Sequence, residues 1–278
     1  MNRPLVKKTG ALAFLLLVVT ACDLPASPAP SSGAAAGSGA PGPAGASVSA
    51  PAAAEVEVGP ASVDAIHEYT GGAKAGDAVP LVVAIHGLGD QPRSFKGLFE
   101  GFRGKAHLVI PAGGVSWGDG FAWWPIRGAI DEKNMAAGIE ASAERLVRAI
   151  RSWQVGSAPG KTIVTGFSQG GMLSFALATQ YPADIAEAVP IAGLLPPSMV
   201  PAVWPAGAPM PRFVALHGDA DARVPFALGK RSVESLKALG VPAELRSYPG
   251  VMHAITPEMR SDLFAILQAA LERAAKAE

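Results

Sequence analysis

The chain has 278 residues, 49% of them hydrophobic and 17% charged, enough to bury one sizeable core. Its 23 basic and 23 acidic residues cancel, so the charge balance offers no grip on nucleic acid or anionic lipid. A single cysteine excludes an internal disulfide, no repeat runs at a solenoid or propeller period, and no His-Glu-x-x-His or paired-cysteine spacing points to a metal.

The first 21 residues read as a targeting segment. Arg3, Lys7 and Lys8 precede an apolar run from Ala11 to Val19, too short to span a bilayer but suited to a secretory signal. The run ends in Val19-Thr20-Ala21-Cys22, which resembles a bacterial lipobox. The expectation is cleavage before Cys22, lipidation of that cysteine, and anchoring at a membrane of the bacterial cell envelope, since two or more acyl chains hold stably where one does not. Residues 22–60 are Pro-, Ala-, Gly- and Ser-rich and cannot bury enough apolar surface to offset ordering entropy. They read as a flexible tether, with the folded domain at 61–278.

Within that domain, Val63 to Tyr69 alternates as an edge strand should, and Gly71-Gly72 turns the chain. Leu81 to Ile85 is unbroken apolar, the signature of a central strand covered on both faces, and runs into His86-Gly87-Leu88-Gly89-Asp90. Ala106 to Ile110 is another buried strand. From Pro111 to Lys133 a long loop is expected, carrying Trp117, Phe121, Trp123 and Trp124. Loops on this side of a doubly wound sheet build the binding crevice, so these four aromatics are candidates for the substrate pocket wall. The competing reading is that they pack the loop onto the core.

Asn134 is the expected N-cap of a crossover helix from Met135 to Trp153, with Arg145, Arg148 and Arg151 on its solvated face. Thr162 to Gly171 then joins a β-branched run to Gly166-Phe167-Ser168-Gln169-Gly170 and a helix-forming segment. This is the strand–turn–helix context of a nucleophile elbow, with Ser168 at the corner. Gly114-Val115-Ser116-Trp117-Gly118 repeats the pattern without that context and is expected to be loop. A strand follows over Ala186 to Ala192. Leu194 to Pro211 is too Pro-rich for a helical lid, and Arg212 to Leu216 is a further strand. A helix near Phe226–Leu239, a strand over Ala243–Tyr248, a loop holding His253 and a terminal helix complete the chain.

A serine hydroxyl needs a base, and the base an orienting group. Of five histidines, only His253 lies on a loop after the last strand, completing the order Ser…Asp…His. Asp219 and Asp221 compete as its partner. The N–H groups of Leu88 and Gln169 are the candidate oxyanion donors, one from the glycine-rich loop after an early strand and one from the residue after the nucleophile. His86 reads as a histidine that holds its loop.

Three motifs, His86-Gly87-Leu88-Gly89-Asp90, Gly166-Phe167-Ser168-Gln169-Gly170-Gly171 and the run from His217-Gly218 through Asp221 to Val224-Pro225, together resemble the phospholipase/carboxylesterase family of α/β-hydrolases. That family includes small bacterial carboxylesterases and acyl-protein thioesterases. The resemblance spans most of the chain after Ala61 and implies an α/β-hydrolase fold, a mostly parallel doubly wound sheet flanked by helices, to which the Pro-rich segment adds no large lid. It puts the catalytic acid on Asp221, leaves Asp219 to shape the loop, and implies a serine carboxylesterase that needs no cofactor or metal. Gln91-Pro92, the approach Gly250-Val251-Met252-His253 and the aromatic loop depart from the family pattern. Short- to medium-chain acyl or aryl esters are the expected substrates. A polyester or feruloyl esterase, and a tethered binding module without turnover, are the alternatives.

Overall fold

The computed structural model describes residues 63–126, 131–154 and 162–276. The chain divides into two units, Met1–Glu55 and Val56–Glu278, and all described residues belong to the second. The expected signal segment, Cys22 and the whole tether over 22–60 lie outside the described residues. Among those residues, no helix is long and apolar enough to cross a membrane.

Seven strands form the main sheet: β1 (Ala65–Thr70), β2 (Leu81–Ile85), β3 (Ala106–Pro111), β6 (Thr162–Phe167), β7 (Ile185–Ile191), β8 (Arg212–Gly218) and β9 (Ala243–Tyr248). Their order is β1-β3-β2-β6-β7-β8-β9, with β1 antiparallel to β3 and every other pair parallel. Between β3 and β6 lie two short antiparallel strands, β4 (Val115–Trp117) and β5 (Gly120–Ala122). The helices are α1 (Pro92–Phe95), α2 (Glu132–Trp153), α3 (Gln169–Gln180), α4 (Phe226–Ala238) and α5 (Pro257–Lys276).

The two-period of a strand explains why β2 is apolar throughout. Leu81, Val83 and Ile85 join one core with Ile139 and Leu146 of α2, Phe175 of α3 and Val233 of α4. Val82 and Ala84 join a second core with Phe95 of α1 and Leu263 and Leu267 of α5. Burying a large side chain of this kind contributes roughly 1.5–3 kcal/mol, so β2 is pinned from both faces. Chain order along the sheet reverses between β2 and β6, and such a switch point opens a crevice at the carboxyl ends of the strands.

Three expectations are corrected. The segment around Ser116 is not irregular loop: β4 and β5 form a hairpin with Ser116 opposite Phe121 and Gly118 in a left-handed turn (φ 56°). Helix α2 starts at Glu132, not Met135, because Asp131 and not Asn134 is its N-cap, accepting from the Asn134 N–H at 2.8 Å. Both residue types cap well, and the one three positions earlier reaches the third amide of the first turn. Arg148 and Arg151 pair with Glu144 and Asp184, but Arg145 turns back to the Ala112 carbonyl at 3.3 Å instead of facing solvent. The Pro-rich segment after β7 forms no helical lid and contains one 3-10 turn, Pro197–Met199.

Candidate active site

At the end of β6 the backbone turns sharply into α3, and Ser168 takes φ 56°, ψ −114°. Among the described residues only Ala192 is another non-glycine with positive φ. Such a conformation costs on the order of 1–3 kcal/mol and persists where the surroundings fix it. Here the Ser168 N–H donates to the Ile191 carbonyl and its own carbonyl accepts from Met172, both at 3.0 Å. The flanking glycines are required by proximity. A Cβ on Gly166 would lie 2.6 Å from the carbonyl oxygen of Gly170, and one on Gly170 would lie 2.6 Å from the carbonyl carbon of Ile85.

The crevice brings together the three side chains that the sequence separates. His253 Nε2 lies 2.9 Å from Ser168 Oγ, and His253 Nδ1 lies 2.7 Å from Asp221 Oδ2. A carboxylate at Nδ1 accepts that proton's hydrogen bond, which leaves Nε2 free to accept from the serine hydroxyl. Asp221 is itself held: its Oδ1 accepts from the Arg223 and Val224 N–H groups, each at 2.9 Å, and its side chain is fully buried. Asp219 does not touch the histidine. Its Oδ1 accepts from the Gly250 N–H at 2.7 Å, fixing the loop that delivers His253.

Two supports were not read from the sequence. Phe167 packs its ring on His253, with centroids 4.7 Å apart. His217, almost wholly buried, donates from Nε2 to the Val224 carbonyl at 2.9 Å while lying 3.4 Å from Asp221 Oδ2. Its position at the end of β8 is the only sequence sign of this second contact with the carboxylate. Burial lowers the His217 imidazole below its ordinary 6.5, against the raising influence of the Val224 bond and Asp221.

The loop after β2 is held at both ends. His86 accepts from the Gly113 N–H through Nε2 at 3.0 Å, so its Nδ1 carries the proton donated to the Gly87 carbonyl at 2.7 Å. Burial lowers its pKa, favouring the neutral ring this arrangement needs. His86 is thus a loop-holding residue. The Gly89 N–H donates to Phe121 and the Asp90 N–H to Gly87, whereas the Leu88 N–H has no partner among the described residues. Gln169 supplies the first N–H of α3, which no intrahelical bond can satisfy. These are the two expected oxyanion donors.

The four aromatics divide. Trp123 and Trp124 are 5% and 6% exposed and belong to the core, so the expectation that they wall an open pocket gives way to the packing alternative. Trp117 stays 38% exposed beside Gly89, and Phe121 is half-buried. A groove of about 650 Å³, lined by Ala136, Gln180, Met199 and Val200 among others, shares no residue with the Ser168 site. No cluster of three or more His, Cys, Asp or Glu side chains among the described residues is placed to hold a metal.

The profile of the phospholipase/carboxylesterase family matches residues 72–271. The chain is similar to the probable carboxylesterase SOBER1-like of Arabidopsis thaliana, 29% identical over 194 residues, covering 64% of this chain and 74% of that protein. It is also similar to acyl-protein thioesterase 1 of Mycosarcoma maydis, 29% identical over 216 residues, covering 66% of this chain and 88% of that one. Among solved structures, esterase PE8 superposes with a TM-score of 0.66 at 24% identity, covering 75% of this chain and 99% of its own, a likeness of fold.

Proposed function

Because the chain belongs to the phospholipase/carboxylesterase family of α/β-hydrolases, we propose that it is a serine carboxylesterase acting on short- to medium-chain acyl or aryl esters. The observation that carries this reading is the hydrogen-bonded line from Ser168 through His253 to Asp221 at the switch point of the sheet. Ser168 Oγ attacks the ester carbonyl as its proton passes to His253 Nε2, and Asp221 steadies the imidazolium that results. The carbonyl oxygen becomes an oxyanion facing the N–H groups of Leu88 and Gln169. Each such donor supplies about 3 kcal/mol of barrier lowering. Collapse expels the alcohol, which takes the proton from His253, and leaves an acyl-serine. Water then attacks that ester, giving its proton to His253, and the returning proton restores the Ser168 hydroxyl as the carboxylic acid departs.

The preference for soluble esters of modest length is supported by the absence of a helical lid in the Pro-rich segment after β7 and by the partly open Trp117 and Phe121. The proposal also includes export and lipid anchoring at Cys22, on the strength of the lipobox-like Val19-Thr20-Ala21-Cys22. Hydrolysis of p-nitrophenyl esters from acetate to laurate tests the chemistry. The wild type should peak in the short to medium range and the Ser168→Ala variant should fall to background. Equal rates in the two proteins would remove the serine mechanism. Incorporation of labelled palmitate in a bacterial host, lost on Cys22→Ser, tests the anchor, and unlabelled wild type would remove it.

A further inference from the structure

Gln169 has a side chain that the reaction described above does not use. The residue is 3% exposed, and burying an amide costs about 1–3 kcal/mol unless it is hydrogen-bonded. Packing alone would be met by an apolar side chain of the same length. Instead Gln169 Oε1 accepts from the Trp123 N–H at 3.0 Å, and Nε2 makes a long contact with the Trp124 carbonyl at 3.5 Å.

The other end of the same strand grips the opposite side of the site. Phe121 accepts from the Gly89 N–H at 2.8 Å and donates to the Asp90 carbonyl at 3.0 Å. The Trp123 indole donates to the His86 carbonyl at 2.9 Å, and the Trp123 carbonyl accepts from Ser142 of α2 at 2.8 Å. One stretch of chain, β5 and the two residues after it, is therefore bonded to both segments that carry the oxyanion donors. The bonds to the first segment fall at His86, Gly89 and Asp90 and skip Leu88. The bond to the second falls on the Gln169 side chain and leaves its backbone N–H free to act.

We propose that the Gln169 side chain is a positioning residue, through which β5 fixes the spacing between the Leu88 and Gln169 N–H groups. The inference rests on the serine-hydrolase reading of Ser168. Donors must meet the oxyanion within ordinary hydrogen-bond distance, and a misplacement of about 1 Å can cost on the order of a hundredfold in rate. Severing the Gln169–Trp123 bond should therefore weaken transition-state binding while leaving ground-state binding alone.

Gln169→Met keeps the length and volume of the side chain and removes its amide, with both backbone donors intact. The expected result is a kcat about 10–100-fold lower with KM within twofold. Inhibition by an alkyl trifluoromethyl ketone, whose serine adduct places an oxyanion in the same position, should weaken by the same factor. Fluorophosphonate titration counts folded, reactive sites so that lost protein is not read as lost rate. A merely structural amide would lower the melting temperature and leave both kcat per site and ketone affinity unchanged, and that outcome overturns the proposal. Trp123→Phe removes the indole bond to His86 together with part of a buried ring, and so tests the other grip of the same segment. It should shift kcat and ketone affinity together by about 3–10-fold; if Gln169→Met does not fold, Gln169→Asn, whose shorter amide cannot reach the Trp123 N–H, must show the same paired loss or the proposal falls. Failure of the underlying reading looks different: the wild type itself would then ignore the ketone, or Ser168→Ala would still hydrolyse the ester.

Discussion

The molecule holds two copies of Gly-x-Ser-x-Gly, and they share nothing but the pattern. Gly114 to Gly118 lies on β4 and the hairpin turn, with Ser116 exposed in a regular strand pairing opposite Phe121. Gly166 to Gly170 lies at the junction of a central strand and a buried helix, with Ser168 forced to positive φ. The glycines differ as well: a Cβ on Gly114 would press first on the Arg145 guanidinium, a side-chain tip that can move. A Cβ on Gly118 would meet nothing within 4 Å, so that position is glycine for its φ of 56°. A Cβ on Gly166 or Gly170 would run into backbone, so those positions are glycine for lack of room. A serine fit to serve as a nucleophile is therefore defined by what crowds it and what reaches it, and the pentapeptide alone records neither.

The largest expected contrast is in turnover. Ser168→Ala should lower kcat on the order of 10⁵–10⁶-fold, whereas Ser116→Ala should stay within twofold in the same ester assay. Comparable losses from the two would dissolve the distinction. Next comes the partner that only one copy has. Asp221→Asn, which keeps the shape but presents the wrong face to His253 Nδ1, should cost about 10³–10⁴ in kcat, and a loss under tenfold would mean that Asp221 does not orient the base.

Stability separates the glycines. Gly170→Ala should destabilise by about 3 kcal/mol or more and remove activity, because backbone at Ile85 cannot yield as a side-chain tip can. Gly118→Ala should cost only about 1 kcal/mol, the price of a non-glycine residue in the left-handed region, with activity retained. Urea midpoints for the pair give the comparison directly.

The smallest effect concerns His86, which joins the two regions by accepting from Gly113 just before the first copy. Burial lowers its pKa from 6.5, opposed by the Gly87 bond and the nearby Asp90 carboxylate. A depressed histidine favours the folded state above the unfolded value and loses that contribution as pH falls through the folded one. His217, depressed for the same reason, acts in the same direction. The urea midpoint should therefore decline below about pH 6.5, and His86→Gln should flatten part of that decline. A midpoint that rises on acidification would contradict it.

Much of this site is legible in the sequence. The unbroken apolar run of β2 and the β-branched start of β6 announced central strands, and the residues just past strand ends are those that face the crevice. That placement points to Ser168, Leu88 and His253, while the choice of Asp221 over Asp219 rests on the family resemblance of the run His217 to Pro225 and agrees with which carboxylate touches the histidine. What stayed hidden depended on facing. Trp117, Phe121, Trp123 and Trp124 look alike in a sequence without clear period. Only the hairpin sends the first two outward and the last two against α2 and α3. The Gln169 amide was hidden for a related reason, because its partner is a backbone N–H, and every residue except proline has one.

The order of the strands also sets an order in time. Synthesis delivers β1, β2, β3 and β6 first, so the loop that carries Leu88 and the strand that leads into the elbow are made before the Ile191 carbonyl that holds the Ser168 N–H. His253 comes on the loop after β9, the last strand to be made and the outermost of its side. On the serine reading, a chain interrupted before that point carries a bent serine with no base to draw its proton. On that reading the base is the last part of the line from Ser168 to Asp221 to be made, after both the serine and the carboxylate.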